Sequence, residues 1–506
     1  MTLSSATRML SDAAPVAAAR AMLMTLMLTT VIVVSHFLNG GHDAQRMLQL
    51  GFLGLAGACV IATGRFASLA MASSPAVCWP LGLFFALGAA SSLVADSPIH
   101  AFREVLMLVL LLVTAMCVAD ELRTDYAKRL TIILYLLGAG AALYLFKVGV
   151  IWATALLTHL PPDHFAFAPG FSNYRFFNHA QTVSFPLLVL AACRANPSTR
   201  LRWLVLASFW ACLMVALSAR GSVLGLFIGF AVAVAVQRVR SYYFCKTFLF
   251  TALGGVALYF VLFDWIPVAL GMDPFGSLQS VVARTTGDDP TSFRNILWAR
   301  ALDYIAAHPW LGIGPAHYGR YAFDLDNASH PHDWPLQIAA EWGIPALLCL
   351  LAVIWTAGRG LFKASRLVDP DDQPNQLILS ALIVTGIAIL VDGCVSGLIV
   401  MPVSQLLIAL YIGCAAGWVW SWTPRQVNVS QPKPLARLAM SLALSAAVIG
   451  LAIGASHDFA RGSTGDMRVH PDVTYGHPRF WLDEYFNEAE MRQAGQCGHG
   501  KAPACR

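Results

Sequence analysis

The stretch EVLMLVLLLVTAMCVA, residues 104–119, decides the fold of this chain. Its only charge is at the first position, and it lacks the polar face that an amphipathic helix would carry. About 20 residues of this kind cross the hydrocarbon core of a bilayer as a helix. The stretch therefore predicts a transmembrane helix.

Similar apolar blocks recur along the chain. Hydrophobic residues make up 57% of the 506 residues and charged residues 12%, whereas about a quarter of a soluble domain is charged. We expect an all-α polytopic bundle of about 12 or 13 spans. The predicted spans are 19–39, 47–63, 74–95, 104–119, 130–154, 177–193, 203–218, 221–236, 247–266, 336–357, 377–400, 403–422 and 438–455.

The first block also has the outline of a signal peptide, because Arg8 and Arg20 precede it. No small-residue cleavage site follows the block, and further spans come at once. We therefore expect it to remain as a span.

The Lys and Arg residues between spans predict the orientation, since cytoplasmic loops are enriched in them. With the N-terminus in the cytoplasm, alternate loops hold most of the basic residues: Arg65; Arg123, Lys128, Arg129; Arg194, Arg200, Arg202; Arg238, Arg240, Lys246; Arg359, Lys363, Arg366; Arg425, Lys433, Arg437. The opposite loops hold isolated cations: Arg46, Arg103, Arg175 and Arg220. The net charge of +5 follows this topology and gives no indication of a nucleic-acid partner.

Four regions follow from the spans. Residues 1–266 form an N-terminal bundle of about nine spans, 267–335 a long outer loop, 336–455 the C-terminal spans and 456–506 a polar tail. An odd number of spans places the tail outside the cytoplasm, where Cys497 and Cys505 could form a disulfide. Whether they pair depends on the span count.

The outer loop 267–335 is the longest polar segment between spans, and long ordered loops are usually functional. Ser292 can cap a helix that runs to about Ala307 and ends before Pro309. Its apolar face would carry Leu297, Ala301, Tyr304 and Ile305, with Arg294 and Trp298 turned elsewhere. Gly312 and Gly314 then allow a tight turn, and His330-Pro331-His332-Asp333 leads into the tenth span.

Three outer arginines are candidate ligands of an anion. Arg220 lies at a hairpin between two spans, and Arg175 and Arg294 have aromatic or apolar neighbours. A guanidinium group holds phosphate oxygens through paired donors, so three of them at one site would suit a diphosphate. The alternatives are a snorkelling side chain for Arg220 and solvated loop charges for the other two.

His332 lies where the loop meets the membrane, and histidine is suited to act as a general base near neutral pH. A single histidine is more often a structural hydrogen-bonding residue, and both interpretations stay open. His330 is a possible partner. Glu341 and Asp392 lie inside predicted spans, where a charge in lipid is costly, so each is expected to face protein or water.

A metal site is the alternative chemistry, because Asp288-Asp289 in the outer loop could hold a divalent cation. The following Pro290 favours a turn instead, and two histidines alone make a poor metal site. The chain has no Gly-rich phosphate loop or nucleotide motif. We expect no metal, no cofactor and no nucleotide-sugar donor.

The order of these residues resembles the O-antigen ligase and O-antigen polymerase superfamily, with the ligase branch favoured. The resemblance covers residues 165–360 and rests on Ser218-x-Arg220-Gly221, Arg294 with Trp298, Pro309, Gly312-x-Gly314, and His330-Pro331-His332 followed by Gly343. It implies a membrane glycosyltransferase of the C type that uses a glycan on undecaprenyl diphosphate, at the periplasmic face of a bacterial inner membrane.

The resemblance also implies residue roles. Arg220 and Arg294 would hold the diphosphate, with Arg175 as a third ligand, and His332 would activate the acceptor hydroxyl in a metal-independent, inverting displacement. Possible supporting residues are His330, Asp333, Glu341 and Trp298. The acceptor is lipid A-core in ligases of lipopolysaccharide biosynthesis, another lipid-linked repeat in polymerases, and a protein hydroxyl in pilin-type relatives.

Two positions depart from the ligase pattern. The histidine is usually followed by Asn, Ser or Gln, but Asp333 follows His332, and Ala346 replaces the last glycine. A carboxylate at position 333 is expected to favour the imidazolium form of His332.

Two other classes of protein compete with the enzyme. A lipid or solute transporter predicts polar residues and helix breaks at mid-membrane, repeated between two halves, and no such repeat is seen. A non-catalytic scaffold would leave the outer arginines without a role.

Overall fold

A computed structural model describes residues 41–63, 74–160, 164–171, 173–286, 293–321, 329–422 and 434–463. These residues form helices and turns, with no strand among them, so the predicted all-α fold is confirmed. In chain order the α-helices are α1 (Gly41–Thr63), α2 (Pro75–Val94), α3 (Pro98–Thr124), α4 (Tyr126–Thr158), α5 (Tyr174–Arg194), α6 (Pro197–Ala216), α7 (Arg220–Gln237), α8 (Tyr242–Tyr259), α9 (Ile266–Ala269), α10 (Ser277–Thr286), α11 (Arg294–Ala307), α12 (Tyr318–Tyr321), α13 (Trp334–Trp342), α14 (Ile344–Ser365), α15 (Gln373–Gly393), α16 (Pro402–Trp422) and α17 (Pro434–Ser463).

Nine helical segments within these ranges are long and apolar enough to cross a membrane. One of them, 220–269, contains two predicted spans, because a 3₁₀ turn joins α7 to α8 and a π-turn joins α8 to α9. Helices α1 and α17 occupy the predicted spans 47–63 and 438–455 without being among the nine. The predicted first span, 19–39, lies outside the described residues, as do Cys497 and Cys505. The chain is a multi-pass membrane protein.

Helix α5 lies at the centre of the bundle, since every residue from Phe177 to Cys193 is buried. Helix α7 packs closely and antiparallel against α15. A Cβ atom added at Gly225 or Gly229 would come within 2.7 or 2.5 Å of a backbone carbonyl oxygen of α15. Such contacts between small residues let two helix backbones approach each other. The packing brings the start of α7 to the end of α15.

The predicted tenth span is wrong in its bounds. A single helix over 336–357 is expected, but the chain breaks at Gly343 into α13 and α14. Gly343 has a φ of +90°, which favours glycine, and the next amide, of Ile344, donates to the carbonyl of Pro309 at 2.9 Å. Ala346, at the position of the missing family glycine, is fully buried and needs only a small side chain.

The predicted glycine turn packs against the end of α13. The amides of Ile313 and Gly314 donate to the carbonyls of Ala340 and Glu341 at 2.9 and 3.0 Å. The Glu341 carboxylate accepts the amide hydrogen of Tyr318 at 3.0 Å and is 1% exposed. Glu341 therefore faces protein, as predicted, and it supports the turn that precedes the histidines.

The loop helix α11 ends at Ala307, as predicted, and its buried residues are Leu297 and Ala301. The predicted cap, Ser292, lies outside the described residues. The residue before the helix is Phe293, whose φ is +63°. Arg294 is thus the first residue of α11, and its position is set by the start of this helix.

We expect Gly343→Ala to destabilise the protein by about 1–3 kcal/mol, because an L side chain is strained at a positive φ. An added Cβ would also lie 2.2 Å from the carbonyl oxygen of Trp310. Thermal unfolding in detergent measures the effect. The matched control is Gly358→Ala on α14, where an added Cβ meets nothing within 4 Å; equal unfolding temperatures for the two variants would contradict the role of Gly343.

Candidate active site

The end of α15, the start of α7 and the middle of α5 meet around a buried carboxylate. Asp392 on α15 accepts hydrogen bonds from the hydroxyls of Thr182 on α5, at 2.6 Å, and Ser222 on α7, at 3.2 Å. Ser222 also donates to the backbone carbonyl of Asn178 at 3.1 Å. A Cβ added at Gly221 would lie 2.6 Å from Asp392 Oδ1. Asp392 is expected to face protein or water, and in the structure it faces protein.

Arg220 is the first residue of α7 and follows a tight hairpin. Ser218 in this hairpin has a φ of +53°, and the Arg220 amide donates to its carbonyl at 2.8 Å. The next residue, Gly221, lies against Asp392, so the Arg220 backbone is beside the buried carboxylate. The Arg220 side chain is half-buried. Its role as a diphosphate ligand, rather than a snorkelling cation, stays a prediction.

Arg175 and Arg294 converge on His332 from distant parts of the sequence. Arg175 lies in the first turn of α5, where its amide donates to the Asn173 side chain at 2.9 Å. Arg294 starts α11. Both guanidinium groups act electrostatically on His332, and Arg294 also acts on Asp392. The structure therefore brings two of the three predicted arginines to the predicted histidine, and it places the backbone of the third beside Asp392.

His330 and His332 lie together, with ring centroids 4.2 Å apart. The Nδ1 atom of His330 is 2.9 Å from the hydroxyl of Ser329. Its ring also rests on Gly397, where an added Cβ would come within 2.3 Å of Nε2. His332 has a φ of +56° and makes no hydrogen bond to any residue that the structure describes. Backbone strain of this kind clusters at functional sites.

The pKa of His332 is lowered to about 3, first by burial and then by the positive charges of Arg294 and Arg175. The imidazole is therefore neutral at physiological pH, and in the empty site it is a weak base. The expectation that Asp333 favours the imidazolium form is wrong, because the arginines and burial dominate. The cause was not visible in sequence, where Asp333 is adjacent to His332 and the arginines are distant.

Asp333 instead caps α13. Its carboxylate accepts the amide hydrogen of Leu336 at 2.8 Å, and its backbone is extended, as at a helix N-cap. Burial raises the pKa of this carboxyl, and the hydrogen bond from Leu336 opposes the rise. Asn and Ser are also good capping residues, so two of the three residues usual after the histidine, though not Gln, can fill the capping role of Asp333.

We expect Asp333→Asn and Asp333→Ser to keep both fold and transfer activity, because each retains an N-cap oxygen. Asp333→Ala should lower the stability of the protein by about 1 kcal/mol. Thermal unfolding and a transfer assay on the three variants test this expectation. A loss of activity in all three at unchanged stability would instead assign the carboxylate a chemical role.

His179 is a site residue that the sequence analysis missed. It lies one helical turn after Arg175 on α5, is 4% exposed, and is within electrostatic range of Arg175, Arg294 and His332. Its Nδ1 atom is buried without a hydrogen-bond partner among the described residues. The spacing of four residues from Arg175 was the available signal.

Trp298 is one turn after Arg294 on α11. Its side chain is half-buried, and the buried indole N–H has no hydrogen-bond partner in the described part of the chain. The indole N–H of Trp298, one turn from Arg294, is suited to donate a hydrogen bond to a polar group of the substrate. Its supporting role stays a prediction.

Arg46, another of the arginines predicted to lie on the outer side, has a structural role. It is 2% exposed, and its guanidinium donates to the Val400 carbonyl at 2.7 Å and to the Gln405 side chain at 2.6 Å. These bonds hold the turn 394–401, which supports His330 through Gly397.

No group of three or more possible metal ligands occurs within the ranges that the structure describes. Asp288 and Asp289, the alternative metal ligands, lie outside those ranges. The absence of a metal therefore stays an expectation.

The fold and the site define a class: a polytopic membrane protein with arginines and histidines gathered at one end of its helix bundle. Residues 203–351 match the family model described as O-Antigen ligase. This segment runs from α6 to α14 and contains Arg220, Arg294 and His332. The predicted resemblance to the O-antigen ligase superfamily is thereby confirmed. No curated protein matches the chain.

Proposed function

We propose that this protein is an O-antigen ligase that transfers a glycan from undecaprenyl diphosphate to a hydroxyl of lipid A-core, at the periplasmic face of a bacterial inner membrane. The observation that carries the proposal is the convergence of Arg175 and Arg294 on His332 inside a segment that matches the ligase family. A transporter would place such groups at mid-membrane, whereas these lie at helix starts and in the loop after the ninth predicted span.

The proposed chemistry is a direct displacement. His332 accepts the proton of the acceptor hydroxyl while its oxygen attacks the anomeric carbon. The bond from that carbon to the diphosphate oxygen breaks, and the diphosphate leaves with the bonding electrons. Attack from the face opposite the leaving group inverts the anomeric centre.

The arginines supply the stabilisation of the leaving group. Guanidinium groups neutralise the negative charge that develops on the diphosphate as the sugar bond breaks, and preorganised charges of this kind are a large catalytic contribution. Arg175 and Arg294 are close enough to His332 to affect its proton affinity, which is the arrangement that a reaction between adjacent donor and acceptor groups needs. Arg220, whose neighbour Gly221 lies against Asp392, is proposed as a further ligand of the diphosphate.

Donor binding should also activate the base. Two guanidinium charges lower the pKa of His332 in the empty site, and a diphosphate between them would offset those charges and raise that pKa. The histidine would then become a stronger base only when the donor is in place. Because donor binding comes before the rise in basicity, His332 would take up a proton during transfer and not in the empty site.

The pH dependence of transfer follows from this lowered pKa. We expect kcat/KM, which reports the free enzyme, to show no deprotonation of His332 between about pH 5 and 8. The pKa seen in kcat should be higher, because the bound diphosphate offsets the arginine charges. Steady-state assays across this range measure both profiles. A rise of kcat/KM with an apparent pKa near that of free histidine would contradict the expectation.

The function itself is tested with purified protein, a glycan on undecaprenyl diphosphate, and three acceptors in parallel: lipid A-core, a second lipid-linked repeat, and a pilin peptide. Transfer to lipid A-core alone supports the ligase. Transfer to the repeat or the peptide would identify a polymerase or a protein glycosyltransferase instead. Activity that survives EDTA supports the metal-independent mechanism, and activity restored only by a divalent cation contradicts it.

A further inference from the structure

A cavity of about 200 Å³ lies at the end of the bundle opposite the candidate active site. The starts of α4 and α15 and the ends of α5 and α16 line it. Helices α5 and α15 connect the two places, since Arg175 and Asp392 are at one end and Arg194 and Asn375 at the other. At about 1.5 Å per residue, α5 separates them by roughly 30 Å, the thickness of the hydrocarbon core.

Arg194 gives this cavity a fixed positive charge. One guanidinium nitrogen, Nη2, donates to the Ala127 carbonyl at 3.3 Å and lies 3.4 Å from the hydroxyl of Thr131. The Nε atom of Arg194 and the indole Nε1 atom of Trp422 are buried and have no hydrogen-bond partner among the residues described. Both residues line the cavity. Each of these two lining residues therefore has a donor that no described residue satisfies.

The lining contains no carboxylate. The two aspartates at the adjoining helix starts are already used as caps: Asp372 accepts the side-chain amide of Asn375 at 2.7 Å, and Asp125 accepts the amide hydrogen of Lys128 at 3.4 Å. Neither carboxylate lines the cavity, and no carboxylate is among the groups that act electrostatically on Arg194. An anionic ligand satisfies both the charge and the free donors.

The remaining lining is apolar or amphipathic. Pro374, Ile378 and the Trp422 ring form apolar wall, and Trp and Tyr residues are enriched where membrane helices meet the interface. The neighbouring segments are also those predicted to hold the cytoplasmic Lys and Arg residues. Basic pockets between membrane helices at this face bind anionic lipid head groups.

We propose that this cavity binds the phosphodiester head group of an anionic phospholipid. The phosphate oxygens accept hydrogen bonds from Arg194 and Trp422, and the glycerol and upper acyl chains lie along the apolar wall. The bound head group connects the ends of four helices, two of which extend to the candidate active site. A ligand that binds only the folded protein stabilises it, so lipid addition should raise the unfolding temperature.

The test uses the full-length protein, delipidated in detergent, with phosphatidylglycerol, phosphatidylethanolamine or inorganic phosphate added separately. Native mass spectrometry measures retained lipid, and thermal unfolding measures stabilisation. We expect phosphatidylglycerol to bind and stabilise more than the other two. Arg194→Gln and Trp422→Phe should each weaken its binding about tenfold, since each removes a buried hydrogen bond to a charged group.

Arg202→Gln is the matched control. Arg202 is an exposed arginine predicted to lie at the same face, and it does not line the cavity, so its loss should leave binding unchanged. Trp422→Phe keeps an aromatic ring and removes only the indole N–H donor. It therefore tests the lipid site even if Arg194→Gln does not fold. Equal binding in wild type and Trp422→Phe, or equal stabilisation by inorganic phosphate alone, would overturn the lipid site.

Discussion

His332→Asn is expected to lower kcat for glycan transfer by about 10²–10⁴, the usual contribution of a general base. Asparagine tolerates a positive φ better than most residues, so it suits the backbone of His332, whose φ is +56°. The substitution therefore removes the proton acceptor while keeping the turn before α13. Single-turnover transfer with a bound donor measures the loss directly.

His308→Asn is the control for this experiment. His308 is an exposed histidine at the end of α11, and its replacement should leave transfer unchanged. If His332→Asn keeps more than a small fraction of the wild-type rate while binding donor normally, then His332 is not the base. His179, buried within electrostatic range of His332, would be the next residue to replace.

Arg294→Gln is expected to lower kcat/KM by about 10²–10³, the typical effect of removing one group that stabilises a developing charge. Arg294→Lys should not restore full activity, because an ammonium group cannot form the paired hydrogen bonds of a guanidinium. The loss of the cation should also raise the pKa of His332, since Arg294 lowers that pKa. Transfer kinetics and an NMR titration of the histidine measure the two effects.

Misfolding would also raise the pKa of His332, because burial is the first cause of its lowering. An unfolding temperature equal to that of the wild type therefore separates a direct role of Arg294 from misfolding. Arg300→Gln, later on the same helix, is the control: Arg300 is not among the groups that act on His332. Normal transfer in Arg294→Gln, with an unchanged pKa for His332, would remove Arg294 from the site.

Most of the helical architecture could be predicted from local composition. Membrane spans are recognised by length and hydropathy, which is why 104–119 and 377–400 correspond to α3 and α15. The tenth span was misjudged because hydropathy does not detect a break that depends on one backbone angle. Gly343 adopts that angle because its neighbours bond to the segment around Pro309, about 35 residues earlier in the chain.

The candidate site was predicted in part. Arg175 and Arg294 could be named because their neighbours are aromatic or apolar, and His332 because it lies where the loop meets the membrane. The family resemblance connected Arg294 and His332. Their convergence is tertiary and is not encoded at any single position. Asp333 shows the limit most clearly: adjacency in sequence suggested an electrostatic effect on His332, while the side chain caps α13.

Arg46 carries a consequence for mutagenesis. Its bonds to the Val400 carbonyl and to Gln405 hold the turn that supports His330, although it does not act on His332. An inactive Arg46 variant would resemble an inactive Arg294 variant in any growth or surface-glycan phenotype. A lost phenotype in an arginine variant of this protein thus does not show whether the arginine binds the sugar donor or supports the fold. The unfolding temperature of the variant distinguishes the two roles.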